Sequence, residues 1–174
     1  MNKADAVQVK PESYRFVASG NIPNNARLPL LVYRGVLETG KDAAASCEAL
    51  FTRHHWPAAW RNGVYDYHHY HTTAHEVLGI VSGTARVRFG GPNGQAVDIG
   101  AGDVIVIPAG VAHRNEGASS DFLVVGAYPE GQDWDICPAK PDERGCAEAD
   151  IARVPPPPAD PVYGKDGPLM QQWR

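Results

Sequence analysis

The chain has 174 residues and a formal net charge of −4. That length fits one domain with a core of its own and leaves too little for two. The mild acidity, with Lys and Arg scattered along the chain, excludes the electrostatic footprint of a nucleic-acid or anionic-lipid binder.

No stretch reaches the roughly 18 apolar residues of a membrane span, and residues 1 to 16 lack the apolar core of a signal peptide, so a soluble, cytoplasmic protein is expected. Cys47, Cys137 and Cys146 are odd in number, and their spacings fit neither a disulfide framework nor a zinc knuckle. They read as reduced thiols.

In chain order, residues 1 to 13 are polar and predict a loose N-terminus, and 14 to 136 predict a single domain. Tyr14-Arg15-Phe16-Val17 turns apolar, then breaks at the turn cluster Gly20-Asn21-Ile22-Pro23-Asn24-Asn25. Leu30-Leu31-Val32-Tyr33 predicts a strand. Residues 42 to 54 are the best helix candidate, because Asp42 stands where a cap is needed and Cys47, Leu50 and Phe51 share a face. His54 and His55 close that helix, where its dipole favours a cation, and they read as structural. Trp56 and Trp60 read first as core or interface anchors, with cavity lining as the sharper alternative.

Four of the seven histidines then fall within eight residues: His68, His69, His71 and His75. If 65 to 71 is a strand, His69 and His71 leave from the same side, as do Tyr65 and Tyr67, while His68 and the later His75 leave from the opposite one. Glu76 follows across a bend at Thr72-Thr73. Ala85, Val87 and Phe89 alternate with Arg86 and Arg88, and Gly90-Gly91-Pro92-Asn93-Gly94 turns the chain back as a hairpin. That loop is no phosphate cradle, since no helix and no Lys-Ser/Thr follow it. Arg86 and Arg88 share a face and read as solvated or salt-bridged before they read as an anion clamp.

Val104 to Ile107 is a continuous apolar run ending at Pro108, and His113 follows the Pro-Ala-Gly turn. His69, His71, His113 and Glu76 make a mixed nitrogen and oxygen set suited to one divalent transition metal, whether Fe, Mn, Ni or Zn, with positions left for water or substrate. Three buried imidazoles and a carboxylate cost several kcal/mol unless paired, and one cation satisfies all four. Tyr65, Tyr67 and Tyr128 are candidate pocket residues, and Glu76 is a candidate general base. Residues 137 to 174 predict a C-terminal extension, wrap or tail, irregular where Pro155 to Pro158 stand in a row. Leu169 and Trp173 are the residues by which its end would dock.

The spacing Gly63, His69-x-His71, Glu76, Gly83 is similar at every defined position to the first motif of the cupin family. Gly102, Pro108-x-Gly110, His113 resembles the second motif up to its last element. There the family has an asparagine, and this chain has Gly117, with Asn115 two residues early. The resemblance covers roughly residues 60 to 130. DYHHYHTTAHEVLG, FGGPNG, AGDVIVIPAGVAH and DFLVVGAYPEGQDWDI narrow it to a YjlB-type group of small single-domain bacterial cupins. It implies an all-β cupin jelly-roll barrel, an antiparallel β-sandwich with a short N-terminal helix. It also implies a homodimer, through an N-terminal strand packed on a partner's sheet.

The function expected is that of a metal-dependent enzyme on a small polar organic molecule, of dioxygenase, isomerase or lyase type. The alternatives are a ligand-binding barrel without turnover and a structural dimer with a closed zinc site.

Overall fold

Strand β6 (Thr84–Phe89) shows how the sequence pattern becomes a wall of the molecule: Ala85, Val87 and Phe89 are buried, while Thr84 and Arg86 are exposed. A strand that alternates in this way is packed on one face and wet on the other. β8 (Val104–Ile107) has no polar position, and all four of its residues are buried, so it must be covered on both faces. Those two strands belong to the two different layers of the fold.

The computed structural model describes residues 7–141 and 144–174. β1 (Glu12–Phe16), β2 (Asn25–Tyr33), β3 (Ala58–Asn62), β5 (Glu76–Ser82) and β10 (Leu123–Ala127) join β8 in a six-stranded antiparallel sheet, ordered β1-β2-β8-β5-β10-β3. β4 (His69–Tyr70), β7 (Gln95–Gly100), β9 (His113–Ala118) and β11 (Cys137–Pro138) join β6 in a five-stranded sheet, ordered β11-β4-β9-β6-β7. Face to face they form the expected jelly-roll sandwich.

Two apolar layers hold it. Between the sheets lie Leu30, Val32, Leu78, Ile80, Val87, Phe89, Ile105 and Ile107. Behind the six-stranded sheet, Leu31, Tyr33, Val77, Val104 and Val106 pack on Cys47 and Phe51 of α1 (Ala43–Arg53) and on Leu169 and Trp173. Each fully buried Leu, Val or Phe contributes about 1.5–3 kcal/mol. The six-stranded sheet is therefore sandwiched between its partner sheet and a cover of helix and C-terminal chain. Gly79 of β5 permits that cover, because a methyl group there would meet Cys47 Sγ at 2.4 Å and the Phe51 ring at 3.0 Å.

Several details differ from the sequence reading. β1 begins at Glu12, inside the stretch expected to be loose, because β2 offers it an edge; residues 1–6 lie outside the described part. Asp42 occupies the cap position of α1 without a side-chain hydrogen bond, so burial of Ala43, Cys47 and Phe51 holds that helix in its place. The extension carries two helices that proline-rich composition concealed, α2 (Arg144–Arg153) and α3 (Pro168–Gln172). Pro168 stands in the first turn of α3, where its missing N–H costs nothing. Of the three cysteines, Cys47 is a buried thiol, pushed up to about 12 by burial and the neighbouring Glu48. The Cys146 side chain lies outside the description.

Candidate metal centre

β4 is only two residues long, and its His69 stands opposite His113, the first residue of β9. That register, set within the five-stranded sheet, brings the two imidazoles to a centroid separation of 4.1 Å. His71 follows β4 in the bend that crosses between layers, and Glu76 is the first residue of β5 in the other sheet, opposite Ile107. A donor from each layer thus arrives at one point. The ligating atoms of His69, His71 and His113 all lie within 4.8 Å of one another, and all three residues are buried. Glu76 Oε2 lies 3.0 Å from His71 Nε2 and 3.1 Å from His113 Nε2.

The hydrogen bonds around the rings decide what this cluster suits. His69 Nδ1 is 3.0 Å from the Tyr67 carbonyl, His113 Nδ1 is 3.1 Å from the Val111 carbonyl, and His71 Nδ1 meets the Asp135 carbonyl. A carbonyl only accepts, so each Nδ1 carries a proton, and a ring without a second proton turns its Nε2 lone pair inward. Three such lone pairs and a carboxylate facing one another repel unless Nε2 protons or a metal cation sit among them, and a donor set of this composition fits a divalent metal.

Burial, with His113 beside it, pushes His69 down to about 3. Burial also pulls His71 down, but the Glu76 carboxylate outweighs it and the net shift is upward. For Glu76, burial raises the carboxyl, and the charge of His71 with the hydrogen bonds of His113 and His71 overcomes that and lowers it.

A cavity of about 310 Å³ opens onto these four side chains and is walled by Trp60, Tyr65, Tyr128 and Trp134. Tyr128 donates its hydroxyl proton to Glu76 Oε1 at 3.0 Å and accepts the Trp60 indole N–H at 3.0 Å, which fixes the carboxylate's outer oxygen. Burial and the Glu76 charge raise the Tyr128 phenol. Tyr65 lines the cavity with its ring edge-on to His69, whereas Tyr67 does not line it and stacks on Tyr65 at 5.1 Å. The shared-face expectation for the two tyrosines fails because residues 63–68 are not strand.

Beyond the sequence candidates, Trp134 stacks on Tyr128 at 5.3 Å and 12°, and Asp135 binds the bend itself. Its carboxylate accepts the Thr72 N–H at 2.7 Å and the Thr72 hydroxyl at 2.5 Å. The only sequence signal for these two was their place in DFLVVGAYPEGQDWDI.

The remaining polar candidates lie elsewhere. Arg86 pairs with Asp98 and Arg88 with Glu116 on the outer face. His54 Nδ1 bonds the Pro161 carbonyl, and His55 pairs with the exposed Glu130. His68 is half-buried and outside the cavity. Asn115, displaced from the family position, donates its N–H to the Tyr65 carbonyl at 2.9 Å, and β6 and β9 shift register beside it, so the altered spacing appears as a bulge.

His75, on the face opposite to the cluster, is buried 4.7 Å from the Trp173 ring, and its Nδ1 accepts the Ala109 N–H at 2.9 Å. Burial pushes it down from 6.5 to about 3. Between those values the unfolded chain binds a proton that the folded chain refuses. Stability present above pH 6.5 is thus lost as pH falls toward 3, by about 1.4 kcal/mol per unit for this group. Urea unfolding of metal-free protein at pH 6.5 and 5.0 is expected to show that slope flattened by about 1 kcal/mol per unit in His75→Gln, whose amide oxygen keeps an acceptor for Ala109. An unchanged slope would assign the loss to other groups.

Residues 61–125 match the cupin domain family. Over 162 residues the chain is 42% identical to the uncharacterised protein YjlB of Bacillus subtilis, covering 93% of this chain and 96% of that one. Among solved structures, a DUF861 family protein from Thermotoga maritima is 24% identical, with 41% of this chain and 75% of that chain covered and a TM-score of 0.32. Oxalate decarboxylase from Bacillus subtilis is 17% identical, with 72% of this chain and 30% of that chain covered and a TM-score of 0.38. Both structural likenesses are too loose to bear on the chemistry.

Proposed function

The chain belongs to the cupin family, and from that premise we propose that it is a metal-dependent enzyme acting on a small organic molecule in the barrel cavity. His69, His71 and His113 would hold a divalent transition metal through Nε2, with Glu76 as the fourth ligand through Oε2. The observation that carries this is the inward-facing set of three lone pairs and one carboxylate, each ring proton being committed to a backbone carbonyl. When bound, the ion supplies Lewis-acid polarisation of a coordinated oxygen or, if redox-active, activation of dioxygen.

The protein's own residues do the rest. Tyr128 retains Glu76 Oε1 whichever way Oε2 is used, so Glu76 can hold the ion or take a proton from substrate without losing its place. Trp60 and Trp134 limit water around the reacting molecule. The family resemblance also supports a homodimer, and none of the helices in the described residues is long and apolar enough to cross a membrane.

Elemental analysis of protein purified without added metal tests the reading. About one equivalent of iron, manganese, nickel or zinc per chain is expected. Its removal by chelator should lower the melting temperature, and the lost stability should return on adding back the ion. Protein that retains no ion, and whose melting is indifferent to all four, would refute the assignment.

A further inference from the structure

Resting on the metal reading above, we infer that the substrate is a flat, ring-bearing molecule, neutral or singly ionised, that presents an oxygen to the centre, and that small dicarboxylates are rejected. Charge limits the ligand first. Among the described residues no Lys or Arg lines the cavity. The nearby arginines are committed outward: Arg61 to Glu48, Arg88 to Glu116, and Arg114 to the Asp66 carbonyl. A divalent ion and the Glu76 carboxylate together leave one net positive charge. A ligand that is neutral, or that gives up one proton, brings the buried site to between plus one and zero. A dianion would leave it negative, with no guanidinium or ammonium to answer, and an unanswered charge against such walls is costly.

The shape of the cavity limits it further. Tyr128 and Trp134 are stacked nearly parallel, 12° apart, and together stand edge-on to His71, so the cavity is bounded on that side by aromatic rings. Tyr65, backed by Tyr67, stands on the His69 side, with Val64 and Leu78 completing an apolar lining. Aromatic walls gain most from a partner that is itself flat and unsaturated. The rim agrees: Trp134 is 46% exposed and Ile136 37%, two large apolar side chains left at the mouth of a cavity whose floor is polar. Such an arrangement buries more apolar surface when a ring enters than when a compact acid does.

Calorimetric titration of metal-loaded protein with tropolone and with oxalate tests this. Both offer two adjacent oxygens, but the first is a singly ionisable ring and the second a dianion without one. Tropolone is expected to bind at least tenfold more tightly. Trp134→Leu and, independently, Tyr65→Leu should each reduce that preference several-fold while oxalate affinity stays unchanged. Oxalate binding equal to or tighter than tropolone, or a preference untouched by both variants, would overturn the inference.

Metal content is measured on every sample, so failure of the metal reading is seen separately. In that event fluorescence titration of metal-free protein with tropolone decides: saturable quenching weakened in either variant supports a ring site, and its absence refutes it.

Discussion

Replacing Asp160 by alanine is expected to lower stability by about 3–5 kcal/mol, enough to abolish most of the margin of an ordinary domain. Asp160 is fully buried. One carboxylate oxygen accepts the Val162 and Tyr163 N–H groups at 2.8 and 3.0 Å, and the other accepts the Tyr33 hydroxyl at 2.5 Å and the Leu169 N–H at 3.0 Å. Alanine would strand four donors, each worth about 1–3 kcal/mol when buried without a partner. Detachment of the C-terminal chain relieves part of that loss, which keeps the total below the simple sum.

Urea unfolding should show the midpoint falling, and hydrogen exchange should show Leu169 and Trp173 losing protection before the sheets do. Asp160→Asn keeps one accepting oxygen but places an amide N–H against the other two donors, so an intermediate loss is expected. An unfolding free energy within 1 kcal/mol of the parent for Asp160→Ala would show that this network is dispensable.

Asp135→Ala is expected to weaken metal binding by about 10- to 100-fold with the fold retained. Its carbonyl accepts the His71 Nδ1–H, and its carboxylate holds Thr72 and Thr73 of the bend on which His71 sits. The carboxyl is pulled up by burial, yet the hydrogen bonds from Thr72 and Cys137 outweigh that and lower it, so it stands ready as a charged acceptor near neutral pH. Alanine keeps the carbonyl but frees the segment that aims it. His71 then spends part of its time turned away, and affinity falls by that fraction. Competition with a chromophoric chelator measures the change. An affinity within twofold of the parent would mean that the bend holds His71 unaided.

What the sequence disclosed depended on whether chemistry or mere position marked a residue. His69, His71, Glu76 and His113 declared themselves because nitrogen and oxygen donors at cupin spacing are rare by chance, and the structure brings those four together. Val104 to Ile107 declared a two-sided burial because no polar residue interrupts it. Trp134 and Asp135 carry no ligand pattern, and they reach the site only through pairing of β11 with β4, a contact between chain segments more than 60 residues apart. Tyr67 was assigned a face by an alternation that needs a strand, and the strand there spans just His69 and Tyr70. His75 was placed on the opposite face by the same parity, and there the return of Trp173 from the far end of the chain covers it. Local pattern cannot foresee a cover supplied a hundred residues later.

The four donors do not belong to one layer: His69 and His113 lie in the five-stranded sheet, and Glu76 begins a strand of the six-stranded one. An ion shared among them would act as a rivet through the two plates of the sandwich. Parting the plates would strip the ion of its carboxylate, so the closed sandwich would hold the metal more tightly than the opened one, and the metal in turn would favour closure.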